Sequence, residues 1–317
     1  MASHCLVAMY HYVRDTEGTA FASLRALATR TFETQLEWIG DSHLVVSYET
    51  FDQHVGVRRQ FDRPTALLTF DDGLIDHYGE VLPRLTARDW TGVFFLSGAA
   101  LANPPRVLNV HKTHFLIAKL GPVAFAASVR DATTGQPAGD GDGLRLRRDV
   151  YRYDGDDDAQ REAKHLLNYE LPYPTTDRVL NDLFTRHIGN ESEFARALYL
   201  TPTMVRDMSR AGMTFGFHTV HHRVLARLTR AEQRAELADG IREIQALTHQ
   251  RVVPFCYPYG HPHTYTAETV CVLSECGYAT GFTTTRRHAC PERDERFEIP
   301  RFDTRDLPPF VTPDPRA

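Results

Sequence analysis

Short apolar runs alternate with longer stretches of helical spacing along this chain. The runs at residues 5–12, 44–47, 66–70, 91–96, 213–217 and 279–284 have the length and composition of buried strands. Between them, Phe32, Leu36 and Ile39 share one helical face, as do Leu74, Tyr78, Val81, Leu82 and Leu85. Thr229 and Glu232 form a capping-box pair ahead of Leu237, Ile241, Ile244 and Leu247, and Thr266 caps a further helix that stops at Gly277. Strands separated by helices predict an α/β fold. Here it is a distorted, incomplete barrel of about seven strands, with its chemistry at the C-terminal strand ends.

The rhythm changes between residues 103 and 200, where the chain takes about a hundred residues over a connection that one helix could make. We therefore expect a barrel built from residues 1–102 and 201–317, and a mainly helical insertion, residues 103–200, acting as a cap. The insertion shows helical spacing at 113–120, 159–168 and 177–188, and a Gly/Asp-rich connector at 135–143. The acidic run 154–158 lacks the distal Glu and the spacing of an EF-hand, and reads as a solvated loop. Exposed apolar surface on these helices would serve a homo-oligomer.

The strand at 66–70 ends on paired acids, Asp71 and Asp72, followed by Gly73. Adjacent side chains on an extended backbone point to opposite sides, so both acids serve one site only if the chain bends, and Gly73 permits the bend. Two neighbouring carboxylates resist joint ionisation; a cation on one leaves the other free to accept a proton. The same residues would also suit a strand end followed by a helix N-cap. Downstream, His218 ends the strand at 213–217 and His222 follows four residues later, a spacing that lets two imidazoles converge on one ion. Asp72, His218 and His222 give two nitrogens and one oxygen with positions left open, the pattern of a catalytic metal site. His221 points elsewhere. Such a donor set suits zinc first, and also accepts cobalt, nickel, manganese or iron.

These residues resemble the polysaccharide deacetylases of the NodB-homology type, carbohydrate esterase family 4. Residues 69–73 match its first motif, and His218, Thr219 and His222 its His-Ser/Thr-x-x-His motif. Residues 255–260 resemble the third, a tight turn that sets a backbone N–H against a developing oxyanion, a role that falls on Tyr257. The similarity covers roughly residues 5–100 and 200–305. It implies a (β/α)7 barrel, a divalent metal on Asp72, His218 and His222, and Asp71 as base. Two departures matter. The family's Leu-x-His acid has no counterpart after Gly260, whereas the first strand runs up to His11, as in circularly permuted members, which gives His11 the acid's role. Cys256 stands where the third-motif arginine is found, and Arg301, in the apolar stretch 297–302, is its replacement in permuted relatives or else an ordinary surface ion-pair residue.

By this resemblance the reaction is removal of an N-acetyl group from an acetamido sugar or small glycoconjugate, releasing acetate. Asn109, His111, Lys112, Tyr169 and Tyr173 of the insertion, with Tyr259 in the turn and His263 just past it, are candidates for holding the sugar. Hydrolysis of a non-sugar or cyclic amide, and a catalytically silent carbohydrate-binding module, stand as alternatives; the joint presence of His11, Asp71, Asp72, His218 and His222 argues against silence. With 317 residues, 42% hydrophobic content and a net charge of -5 without a basic cluster, the chain has the composition of a globular enzyme and not of a nucleic-acid binder. No run approaches the roughly 20 apolar residues of a membrane span. The start of the chain lacks a leader pattern, and its five cysteines lack zinc-knuckle spacing, so a cytoplasmic location with reduced thiols is expected. Cys271 and Cys276 read as helix-packing residues.

Overall fold

The computed structural model describes residues 4–134 and 156–311. Strands β1 (Cys5–Tyr10), β2 (Leu44–Val45), β3 (Thr65–Phe70), β4 (Val93–Leu96), β5 (Thr214–Phe217), β6 (Phe255–Cys256), β7 (Gly281–Phe282) and β8 (Phe302–Asp303) form one parallel sheet. Its order is β7-β6-β5-β4-β3-β1-β8, with β2 paired to the start of β3. The segment entering β8 brings the two edges together. Ile299 bridges Phe282 of β7, while Phe302 and Asp303 pair with Ala8 and Met9 of β1. Seven strands thus follow one another around a distorted α/β barrel.

The period-two alternation of a strand decides what each residue faces. Leu6, Ala8 and Tyr10 of β1, Ala66, Leu68 and Phe70 of β3, and Phe94 and Leu96 of β4 pack outward with Phe32, Leu36, Ile39, Val81 and Leu85 of the helices. Cys5, Val7, Leu67, Val93 and Phe95 belong to a separate inner cluster with Cys256, Phe282 and Ile299. Continuing that parity past the strand ends turns His11, Asp71 and Arg301 inward, as it does His218, two residues beyond Gly216. One end of the ring is apolar and the other carries the chemistry.

The helix of Phe32, Leu36 and Ile39 spans Thr29–Ser42, the box at Thr229 forms as expected, and Thr266 caps its helix, where Thr269 completes a second box. The pattern from Leu237 to Leu247 instead occupies two helices, Arg230–Leu237 and Gly240–Thr248. Gly240 lies so close to Phe217 that a Cβ there would sit 2.2 Å from the ring. After β3, a π-helical turn, His77–Val81, leads into the short helix Leu82–Thr86. Helix Pro202–Arg210, before β5, has no counterpart in the reading of the hydrophobic pattern. Cys271 is exposed, contrary to expectation, because Val272 and Leu273 fill the buried face of its helix.

Between β4 and β5 lie helices Asn109–Leu120, Pro122–Thr133, Asp158–His165, Tyr173–His187 and Glu191–Leu198, with a π-helical turn at Leu166–Glu170. Leu116, Phe125, Val129, Leu167, Val179 and Leu183 form a small core of their own. A second cluster packs Phe115, Phe184, Leu198 and Tyr199 on Tyr12, Leu74 and Ala99, at the C-terminal ends of β1, β3 and β4. The segment returns to the barrel with Leu200 N–H donating to the Gly73 carbonyl at 2.8 Å. The connector at 135–143 lies outside the described residues, as do Asp154 and Gly155. The rest of the acidic run is not simply a solvated loop: Asp156 is buried and accepts from Arg25 and Lys164, each at 2.8 Å. Among the described residues, no helix is long and apolar enough to cross a membrane.

Candidate active site

Asp71 and Arg301 meet at the polar end of the ring. Arg301 is 1% exposed and donates through Nη1 to Asp71 Oδ1 and through Nη2 to Asp71 Oδ2, both at 2.8 Å. Its other bonds hold the fork still: Nε to the Thr283 carbonyl at 2.9 Å, Nη1 to Thr69 Oγ1 at 3.1 Å and Nη2 to Cys256 Sγ at 3.0 Å. Arg301 is therefore no surface residue. Burial alone would raise the Asp71 carboxyl, but the Arg301 charge and its hydrogen bonds outweigh it and hold the group at about 2. Cys256 takes the position beside Asp71, and burial pushes its thiol well up, so it stays protonated.

Asp72 leaves the strand by a sharp turn. Its φ is +75° and that of Gly73 is +62°, so the bend expected at Gly73 begins one residue earlier and carries both acids to the same mouth. A Cβ on Gly73 would also come within 2.8 Å of Leu96. Thr219 (φ +63°), His222 (φ +56°) and Tyr259 (φ +63°) share this left-handed conformation. For residues other than glycine it costs on the order of 1–3 kcal/mol each, and it persists where surrounding contacts over-determine it. Thr219 Oγ1 accepts from His222 N–H at 2.9 Å, and Gly98 N–H donates to the Thr219 carbonyl at 3.0 Å. Buried Glu236 accepts from both His221 N–H (2.8 Å) and His221 Nδ1 (2.7 Å), drawing that side chain away from its neighbours.

His218 Nε2 and His222 Nε2 come within 3.6 and 3.7 Å of Asp72 Oδ1. His218 Nδ1 donates to the Cys256 carbonyl at 2.7 Å, which leaves the Nε2 lone pair facing the carboxylate. Burial pushes both imidazoles down, His222 to about 3, so both are neutral at pH 7. Asp72 Oδ1 is buried with no hydrogen-bond partner among the described residues. A buried carboxylate oxygen without a donor, faced by two uncharged nitrogens, fits a divalent cation. The neighbouring set Asp71, His218 and Cys256 also lies within ligand distance. Its Asp71 oxygens are already taken by Arg301 and its sulfur keeps a proton, so the Asp72 set is the better cradle. His11 stands 3.7 Å from Asp71 through Nε2, with its side chain 39% exposed.

Other sequence candidates are placed differently. Tyr257 N–H donates to the Phe282 carbonyl at 3.1 Å, so in this structure it is already taken and is not presented to an oxyanion; the side chain is buried with the outer core. The pairing of β6 with β7 claims it, continuing the bond from Phe255 N–H to the Thr280 carbonyl. Tyr259 is at the mouth, its ring 5.0 Å from that of His222 and its hydroxyl donating to Asn168 Oδ1 at 3.2 Å. His111 and Lys112 are buried and offer nothing to solvent. His111 bonds Asp72 and Tyr199, and Lys112 pairs with Glu191 and Asn181. Asn109 donates to Asp177 at 2.6 Å, Tyr169 is buried, Tyr173 lies between Arg223 and Arg227, and His263 is exposed. Tyr199 and Glu236 carry no sequence signal at all, being single polar residues at or within helix ends.

Residues 180–281 match the family model for polysaccharide deacetylase, a stretch that includes His218, His222 and the Pro258–Gly260 turn. YxkH of Bacillus subtilis, a protein named for the same family, is 31% identical over 117 residues, 37% of this chain. The match spans 40% of that relative's length. Among solved structures, the Streptococcus pyogenes deacetylase PplD superposes with a TM-score of 0.59 at 16% identity, over 96% of this chain and 93% of that one. IcaB of Ammonifex degensii gives 0.58 at 14% identity, over 95% and 91%. The fold is thus shared along nearly the whole chain, and residues 180–281 are similar to the polysaccharide deacetylase family.

Proposed function

We propose that the protein is a metal-dependent hydrolase that removes the N-acetyl group of an acetamido sugar or small glycoconjugate and releases acetate. The observation that carries this reading is the pairing of two differently equipped acids in one mouth: Asp71, clamped by Arg301, and Asp72, with one bare oxygen facing two neutral imidazoles. Asp72, His218 and His222 would hold a divalent ion, zinc in the first instance, which when bound would supply Lewis acidity toward water and the acyl carbonyl near neutral pH.

The chain's own residues do the rest. Asp71, kept ionised and oriented by Arg301, takes the proton from the attacking water. His11, beside Asp71 and open to solvent, delivers a proton to the departing nitrogen, which is too basic to leave as an anion. The oxyanion-facing backbone lies at the turn Pro258–Tyr259–Gly260, two residues beyond the position expected from sequence. Residues 103–200 act as a cap over the strand ends, and the Tyr259–Asn168 contact supports placing part of the sugar site between cap and turn. The test is acetate release across a panel of acetylated amino sugars, sugar nucleotides, glycosylated antibiotics and cyclic amides. Turnover confined to acetamido sugars supports the proposal; turnover of cyclic amides alone refutes it.

A further inference from the structure

The residue behind Asp72 comes from the insertion. His111 Nε2 lies 3.1 Å from Asp72 Oδ2, and His111 Nδ1 lies 2.6 Å from the hydroxyl of Tyr199, which accepts from Leu108 N–H at 2.9 Å. All three side chains are at least nine-tenths buried. The direction of the bonds follows from the ends. The Asp72 carboxylate can only accept, so Nε2 carries the proton. In the neutral ring Nδ1 then accepts, and the Tyr199 O–H donates to it. Leu108 N–H occupies a remaining lone pair of that oxygen. The result is an ordered series from Leu108 through Tyr199 and His111 to Asp72, with every donor pointing toward the carboxylate.

We infer that His111 and Tyr199 are positioning residues for the cation site, so that the insertion supplies part of the metal-binding apparatus as well as covering it. The inference rests on the assignment of Asp72, His218 and His222 as ligands. His111 occupies Oδ2 and thereby leaves Oδ1 as the oxygen presented to the two imidazoles, 3.6 and 3.7 Å away. It also steadies a carboxylate whose backbone is in a strained left-handed turn. Tyr12 packs edge-on against the His111 ring at 5.6 Å, and the bridge between Leu74 and Tyr199 ties the far end of the series to the chain just past Asp72. The ring therefore has little freedom to rotate away. Hydrogen bonds to metal-ligating groups commonly change affinity by about 10–100-fold when removed.

The test strips the protein of metal with a chelator and measures zinc affinity by competition with a chromophoric chelator, and the ligand field by the visible spectrum of the cobalt form. His111→Phe keeps a ring in the slot and removes the donor; its zinc dissociation constant should rise about 10–100-fold, with a changed cobalt spectrum. Tyr199→Phe should shift both in the same direction by a smaller factor, and His111→Gln, which keeps a donor, should recover part of the loss. A purely structural role would lower the urea midpoint of the metal-free variants and leave the affinity and spectrum of the folded protein as in wild type; that result overturns the inference. Wild-type protein that binds neither zinc nor cobalt overturns the ligand assignment itself, a separate outcome. If His111→Phe does not fold, Tyr199→Phe and His111→Gln are judged by the same criterion.

Discussion

Arg301 Nη1 and Nη2 donate to the two oxygens of Asp71 at 2.8 Å each, across 230 residues of chain. Both groups are buried, so the pair is worth most as an arrangement: removing one partner leaves the other charged and uncompensated. Arg301→Met should destabilise the fold by about 3–5 kcal/mol in urea unfolding, and Asp71→Asn in the same chain should recover part of the loss. Additive losses in the double variant would show that the pair is not coupled.

Asp71→Asn alone should lower turnover by about 10²–10⁴ while the protein keeps its metal, because the base is lost and the ligands are not. His222→Ala should lose metal and activity together. Metal content by mass spectrometry beside acetate release separates the two. An Asp71→Asn enzyme as active as wild type would remove Asp71 from the role of base.

Glu236 holds the turn between His218 and His222 by accepting from His221 twice. Glu236→Gln can keep only one of those bonds with the same geometry, so zinc affinity should fall while the strand core is unaffected. Unchanged affinity in that variant would make the anchor dispensable.

Gly240→Ala places a methyl group against the Phe217 ring, one residue before His218. Overpacking of this kind costs about 1–3 kcal/mol, and here it should weaken metal binding as well as stability. A variant as stable as wild type would mean that helix Gly240–Thr248 can move away from β5 freely.

Burial beside Phe70 and Phe94 pushes His77 down from 6.5 to about 4, and its Nε2 bonds the His11 carbonyl at 3.1 Å. The unfolded chain takes up a proton as pH drops below 6.5, whereas the native ring stays neutral until about 4. The unfolded state therefore binds more protons across that window, and stability falls with pH through it. Between pH 7 and 4.5 this residue accounts for about 2 kcal/mol. Metal-free His77→Gln should lose less stability than wild type over that range by about this amount; equal losses would contradict it.

Much of the candidate site was legible because it sits at strand ends. A strand's parity, an Asp-Asp pair and two histidines four residues apart constrain direction strongly, and Asp72 comes together with His218 and His222 while Asp71 lies beside His218 and Cys256. What failed, failed where contacts are made between distant elements. His111 lies on a helix face that offers no clue that Asp72 stands behind it. The motif gives Tyr257 its role by position, but its N–H is used in the pairing of β6 with β7, which the motif does not report. The absence of a side chain at Gly240 answers to a phenylalanine ring from β5, which no helical periodicity reports.

The central claim is that Asp72, His218 and His222, and not Asp71, His218 and Cys256, form the cation site. X-ray absorption of the zinc-loaded protein tests it most directly, because zinc–sulfur bonds are longer, at about 2.3 Å, than the roughly 2.0–2.2 Å of imidazole and carboxylate ligands. A shell of nitrogen and oxygen alone, with the scattering pattern of two imidazoles, is the predicted result. A sulfur neighbour would hand the ion to Cys256 and contradict the account.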